Sequence, residues 1–111
     1  MCFTTLAMAE DKKMANAWNK ISQSYQKRYK IGTSNVHWGP LCPSEDKLHL
    51  LGDVNEKRVI EIGAGAGQNS IVLAKQRAIT TAYDISKEQL EHGKKLSKEE
   101  KVKVSFIRGD F

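Results

Sequence analysis

The stretch "RVIEIGAGAGQNSIVLAK", Arg58 to Lys75, decides the fold. "RVIEI" is short and β-branched, so it reads as a buried strand. Three glycines at 63, 65 and 67 follow at once, and "GQNSIVLAKQ" after them has the look of a helix. A glycine loop between a strand and a helix lets a ligand approach the backbone closely.

Working toward the C-terminus, "ITTAYDI" (Ile79 to Ile85) reads as a second strand. Ser86 then opens a helix with the capping box "SKEQ", and this helix runs to about residue 99. "VKVSFIRGD" (Val102 to Asp110) reads as a third strand. Strands alternating with helices predict an α/β fold, a Rossmann-like doubly wound parallel sheet with right-handed crossovers.

Working toward the N-terminus, residues 10 to 30 predict a helix. Met14, Trp18, Ile21, Tyr25 and Tyr29 form its apolar stripe. "IGTSNVHWGPLCP" (Ile31 to Pro43) is a long irregular segment of the kind that covers binding sites. A short helix should follow, capped by Ser44, holding Leu48, Leu50 and Leu51 and stopped by Gly52. The chain thus divides into an N-terminal helical or lid segment, 1–52, and an α/β unit, 53–111.

The 111 residues carry 28% charged and 40% hydrophobic side chains, which fits a soluble globular protein. No apolar run is long enough to span a membrane. The net charge of +5 comes from scattered lysines and reads as solubility, so nucleic acid is not the expected partner. Cys2 and Cys42 form neither a metal motif nor a convincing disulfide framework, so no metal site and a reduced, cytoplasmic setting are expected.

The ligand class follows from elimination and from the acidic residues. A phosphate loop needs Gly-Lys-Ser/Thr, which is absent. The dinucleotide fingerprint needs a glycine at 68, where Gln68 stands. Glu61 ends the first strand, and a carboxylate there suits a positively charged group rather than a pyrophosphate. Asp84 ends the second strand, where it can accept from both hydroxyls of a ribose or simply cap the next helix. Asp110 follows the third strand, where it can read an adenine amino group or only mark a turn. His37 and Trp38 read first as loop packing.

In combination, "VIEIGAGAGQNSIVLAKQ", "AYDISKEQLEHGKKL" and "FIRGDF" resemble the first half of a class I S-adenosylmethionine-dependent methyltransferase. The likeness is to the small-molecule type, similar to the ubiquinone/menaquinone-biosynthesis group, and extends over residues 15 to 111. It implies S-adenosyl-L-methionine as cofactor and a small-molecule methyl acceptor. Glu61, Gly63, Gly65 and Gly67 would form the first cofactor motif, with Glu61 holding the ammonium end. Asp84 would bind the ribose hydroxyls and Ile85 would pack on the adenine face. Asp110 would accept from the adenine amino group, with Phe111 beside the ring, and Trp38 and Tyr25 would close over the site.

The chain departs from that family in two places. Relatives have a glycine near position 77, where Arg77 stands, so that turn should be looser. The family's sheet has seven strands, and three are expected here. The far edge of the first strand would then lie unpaired, and the chain alone is expected to be a fragment with little activity. No catalytic residue can be named. The rival readings are an NAD-type oxidoreductase half-domain and an inactive fragment acting only as a binding module.

Overall fold

The computed structural model describes residues 11–29, 31–39 and 41–110. Within the first helix, the side chains at 11, 12, 23 and 25–29 are outside the description, and Tyr25 is among them. The elements are α1 (Asp11–Tyr29), α2 (Glu45–Leu48), β1 (Arg58–Ile62), α3 (Gln68–Lys75), β2 (Ile79–Asp84), α4 (Lys87–Glu99) and β3 (Val104–Arg108). The three strands form one open parallel sheet in the order β1-β2-β3. This is a Rossmann-like fold carried as far as its third strand.

Strand pairing sorts the side chains. Val59, Glu61, Thr80, Ala82, Val104 and Phe106 share one face, and Ile60, Ile62, Thr81, Tyr83 and Ile107 share the other. The first face is covered by α3 and α4. The second is open among the described residues, with Ile60 at 56% and Ile79 at 60% exposure. The strand order runs in a single direction, and successive right-handed crossovers then place both helices on one side. The described residues therefore supply only one layer of the doubly wound arrangement. For the same reason β1 is half-covered, not fully buried as its composition predicts. Among the described residues, nothing pairs with its outer edge.

The core under α3 joins distant parts of the chain. Val36, Val54, Val72, Leu73 and Ala78 pack together, with Trp38 and Val59 against them. The segment around His37 is thus held in place by buried neighbours, in keeping with its packing role. Trp38 Nε1 also donates to Glu45 Oε1 at 3.2 Å.

Two expectations are corrected. The buried side of α1 is set by Ala15 and Ser22, while Ile21 of the predicted stripe is 45% exposed. Small residues let α1 approach α4 closely, and Asn19 between them supplies hydrogen bonds to the start of α4. The short helix α2 ends at Leu48, because His49 turns left-handed with φ 50° and leaves Leu50 and Leu51 outside it. Cys2 lies outside the described residues.

The turn at Arg77 is not loose. Arg77 takes the left-handed conformation, φ 68°, that a glycine would occupy. Its N–H donates to Ala74 O and the Ala78 N–H donates to Leu73 O, both at 3.0 Å. These two bonds make a complete Schellman closure of α3. Helix α4 closes the same way around Lys101, φ 58°. Both helices end on a cation in a strained conformation, and that charge partly offsets the strain by facing the negative end of the helix.

Candidate functional site

The carboxyl ends of β1 and β2 bring Glu61, the three glycines, Asp84 and Ile85 together. Each glycine of the loop is left-handed: Gly63 at φ 75°, Gly65 at 61° and Gly67 at 74°. The Gly63 and Ala64 N–H groups both donate to Tyr83 O, at 2.9 and 3.1 Å, which ties the loop to β2.

The glycines differ in what they permit. A Cβ on Gly67 would lie 3.1 Å from Phe106 Cε1 and 3.4 Å from Ala82 Cβ, so this position needs glycine for packing. A Cβ on Gly65 would meet nothing within 4 Å. Gly65 is needed for its backbone conformation, and its side is open to an approaching ligand. Behind the loop, Gly93 of α4 sits so close that a Cβ there would lie 2.4 Å from Ala66 O. Helix α4 thus supports the loop from below.

Glu61 reaches from β1 to the start of α3. Gly67 is the N-cap of that helix and offers it no side chain. In its place Glu61 Oε1 accepts from the Ser70 N–H at 3.2 Å and the Ser70 hydroxyl at 2.9 Å. Glu61 Oε2 accepts from Asn69 Nδ2 at 3.2 Å. A carboxylate from the strand therefore occupies the positive end of the helix, where a pyrophosphate would otherwise dock. Glu61 is half-exposed as a residue, but its carboxyl end is buried. Burial raises its pKa, the hydrogen bonds from Ser70 and Asn69 oppose the rise, and Asp84 adds to it.

Asp84 is 8% exposed and uses both oxygens. Oδ2 accepts from the Gly65 N–H at 2.7 Å, and Oδ1 accepts from the Ser86 N–H at 2.8 Å. It fastens the glycine loop to the start of α4 as well as capping that helix. Burial raises its pKa, against the backbone N–H groups of Ser86, Gly65 and Ile85. Ile85 follows, half-buried.

Other predicted residues lie apart. Asp110 is exposed beyond β3, and its carbonyl accepts from the Tyr83 hydroxyl at 3.3 Å. Phe111 lies outside the described residues. The described contacts of Trp38 are with the core and Glu45. Asn69 was not legible as a site residue: nothing in one sequence tells an Asn in a first helical turn which distant backbone it will meet. Ser70 carried a faint signal, since it is the third helical residue after a glycine cap. Among the described residues, no group of three His, Cys, Asp or Glu could hold a metal ion. No helix among them is long and apolar enough to cross a membrane.

Residues 59–111 match the family model described as a methyltransferase domain. Over this stretch, just under half of its length, the chain is similar to the methyltransferase-domain family. The solved structures agree on the fold. The [4+2]-cyclase SpnF superposes with a TM-score of 0.68 at 16% identity, covering 96% of this chain and 44% of SpnF. Phosphoethanolamine N-methyltransferase 1 of Haemonchus contortus, in complex with phosphoethanolamine and S-adenosylhomocysteine, gives 0.63 at 20% identity, covering 96% and 22%. The PH0226 protein of Pyrococcus horikoshii OT3 gives 0.52 at 20% identity, covering 92% and 40%. This chain spans less than half the length of each. No curated protein matches it. One fold thus carries a cyclase and an N-methyltransferase, so the fold alone assigns no reaction.

Proposed function

We propose that this chain supplies the S-adenosyl-L-methionine-binding half of a methyltransferase whose acceptor is a small molecule. The observation that carries the proposal is the charge of the ligand edge. Two buried carboxylates flank a left-handed glycine loop, and one of them fills the helix N-terminus. Such an edge favours a cofactor with positive groups and disfavours a pyrophosphate. The NAD-type reading is set aside on that ground.

The fit can be stated residue by residue. Gly65 leaves open space beside the backbone, where the methionine portion would lie. Glu61 would hold the ammonium group through Oε2, directly or by water. Asp84 would accept from the ribose hydroxyls with the lone-pair capacity its backbone bonds leave. Ile85 would pack on the adenine, with Asp110 and Phe111 at its amino edge. Gly63 and Gly67 keep the loop in shape. When bound, S-adenosylmethionine supplies an already activated methyl group. The chain's own work is to bind, orient and keep water from that group. The acceptor type nearest the sequence motifs is that of the ubiquinone/menaquinone-biosynthesis group.

Residues 53–111 would form the cofactor unit, with 1–52 covering it. A cytoplasmic setting belongs to the same proposal. Thiol titration of protein taken directly from cells decides that point.

The test of function is calorimetric titration of the chain with S-adenosylhomocysteine and with NAD. A ligand at 100 times its dissociation constant adds about 2.7 kcal/mol of stability. Stabilisation by S-adenosylhomocysteine and none by NAD is expected. The reverse would overturn the proposal.

A further inference from the structure

Asn69 makes three hydrogen bonds with one amide. Its Oδ1 accepts from the His37 N–H at 2.9 Å, and its Nδ2 donates to His37 O at 2.9 Å. The same Nδ2 donates to Glu61 Oε2 at 3.2 Å. The first two bonds satisfy both backbone groups of a residue 32 positions earlier in the chain. The third ends on the carboxylate that the proposed function assigns to the cofactor's ammonium group.

The neighbours of His37 explain why one amide can hold the segment. Val36 is 3% exposed and packs with Val72 and Leu73 of α3, and Trp38 packs on the same cluster. These two side chains seat the segment along α3. His37 between them faces the start of that helix, and its backbone has no strand beside it. Asn69, the second residue of α3, takes the role of that missing strand. Burial lowers the His37 pKa, which favours the neutral ring.

We propose that Asn69 is a positioning residue that locks the segment around His37 to the Glu61 carboxylate, so that order in the segment and cofactor binding rise and fall together. The cofactor arm of this inference rests on the function proposed above. The segment arm does not. A shared amide group is the physical link: its two Nδ2 hydrogens serve His37 O and Glu61 Oε2 at once, and the bonds to His37 fix the orientation of the amide. If the segment lifts, Asn69 loses the two bonds that orient its amide, its donation to Glu61 weakens, and the carboxylate is freer to turn away from the ligand. A bound ammonium group holds Glu61 in place, and Glu61 then holds Asn69 against His37.

Two variants test it. Asn69→Ala removes all three bonds. Asn69→Asp keeps acceptance from the His37 N–H, loses both donations, and suits a helix N-terminus, so it preserves α3. The first measurement is amide hydrogen exchange at Val36, His37 and Trp38 in the chain without ligand. Exchange should be about tenfold faster in Asn69→Ala and faster by less in Asn69→Asp, which keeps the bond from the His37 N–H, with α3 and β2 unchanged. The second is the dissociation constant of S-adenosylhomocysteine across the acid range. The charged groups that act on Glu61 are Asp84 from β2 and, in the variant, the new carboxylate at 69. The pH below which binding weakens should rise in Asn69→Ala and rise further in Asn69→Asp. A role limited to helix stability would not move it.

In the wild-type chain, ligand should slow exchange at His37, and this slowing should vanish in both variants. Unchanged exchange at His37 in the variants overturns the proposal. Faster exchange with an unmoved pH profile overturns the coupling. If the wild-type chain takes no S-adenosylhomocysteine, the function proposal falls, and exchange at His37 still decides whether Asn69 locks the segment.

Discussion

The two strand-to-helix turns of this chain solve the same problem in different ways. Between β1 and α3 the backbone passes through three left-handed glycines, and the helix borrows its cap from Glu61 on the strand. Between β2 and α4 there is no glycine. Ser86 caps its own helix by accepting from the Gln89 N–H at 3.2 Å, and Asp84 adds a bond to the Ser86 N–H. The second turn is capped by its own side chains, and Asn19 of α1 adds two bonds to it. The first depends on residues from outside it and keeps an open side. The difference teaches where a ligand fits: a turn whose backbone is bare and whose cap is a carboxylate can admit a cation, and a turn filled by its own side chains cannot.

The largest effect that breaks this comparison should come from behind the first turn. Gly93→Ala would drive a Cβ into Ala66 O and Phe106. Overpacking of this kind costs about 2–3 kcal/mol. A fall of that size in chemical denaturation is expected, although Gly→Ala in an exposed helix stabilises.

Next come the glycines of the loop. Gly67→Ala should cost about 2 kcal/mol, from left-handed strain plus contact with Phe106. Gly65→Ala has the strain without the contact and should cost about 1 kcal/mol. Its larger effect should be on ligand affinity, since the new methyl group enters the open space. The same two denaturation curves, run with and without S-adenosylhomocysteine, separate these roles.

The second turn should be less sensitive. Ser86→Ala removes the cap of α4 and its bond with Asn19 Oδ1, 2.6 Å away. A loss of about 1 kcal/mol is expected, with the first turn unaffected. The smallest effect runs the other way. Arg77→Gly relieves left-handed strain but removes a cation from the end of α3. A gain of about 0.5 kcal/mol in denaturation midpoint experiments is expected, and a loss would mean that the charge outweighs the strain.

Much of this was legible before any coordinates. The bounds of α1, β1, α3, β2 and α4 follow from periodicity, glycine and the capping box, all of which are local signals. Ser86 as N-cap is the clearest case. The site was legible in part, because the residues at the ends of parallel strands must meet at one edge. What was hidden is relational. The sequence cannot tell that Glu61 turns back to cap α3, that Asn69 meets His37, or that Asn19 of α1 receives Ser86 and Glu88. The stripe on α1 misled because its apolar residues are large, while the contact with α4 is made by small ones. Arg77 misled because glycine's preference for a left-handed turn is energetic, and full hydrogen bonding outweighs it here.

The most direct measurement is the affinity of the chain for S-adenosylhomocysteine between about pH 4 and pH 8. Burial raises the pKa of Glu61 and of Asp84. In the ligand-free chain the neutral carboxyls therefore favour the fold. That contribution is complete below the ordinary carboxylate values near pH 4 and is lost as pH rises through the raised ones. Binding of an ammonium group has the opposite sign, because it needs the charged form of Glu61. Affinity should therefore fall as the solution is acidified through this window, while ligand-free stability rises. Affinity that stays level across the window, or strengthens on acidification, would contradict a cofactor held by its positive end.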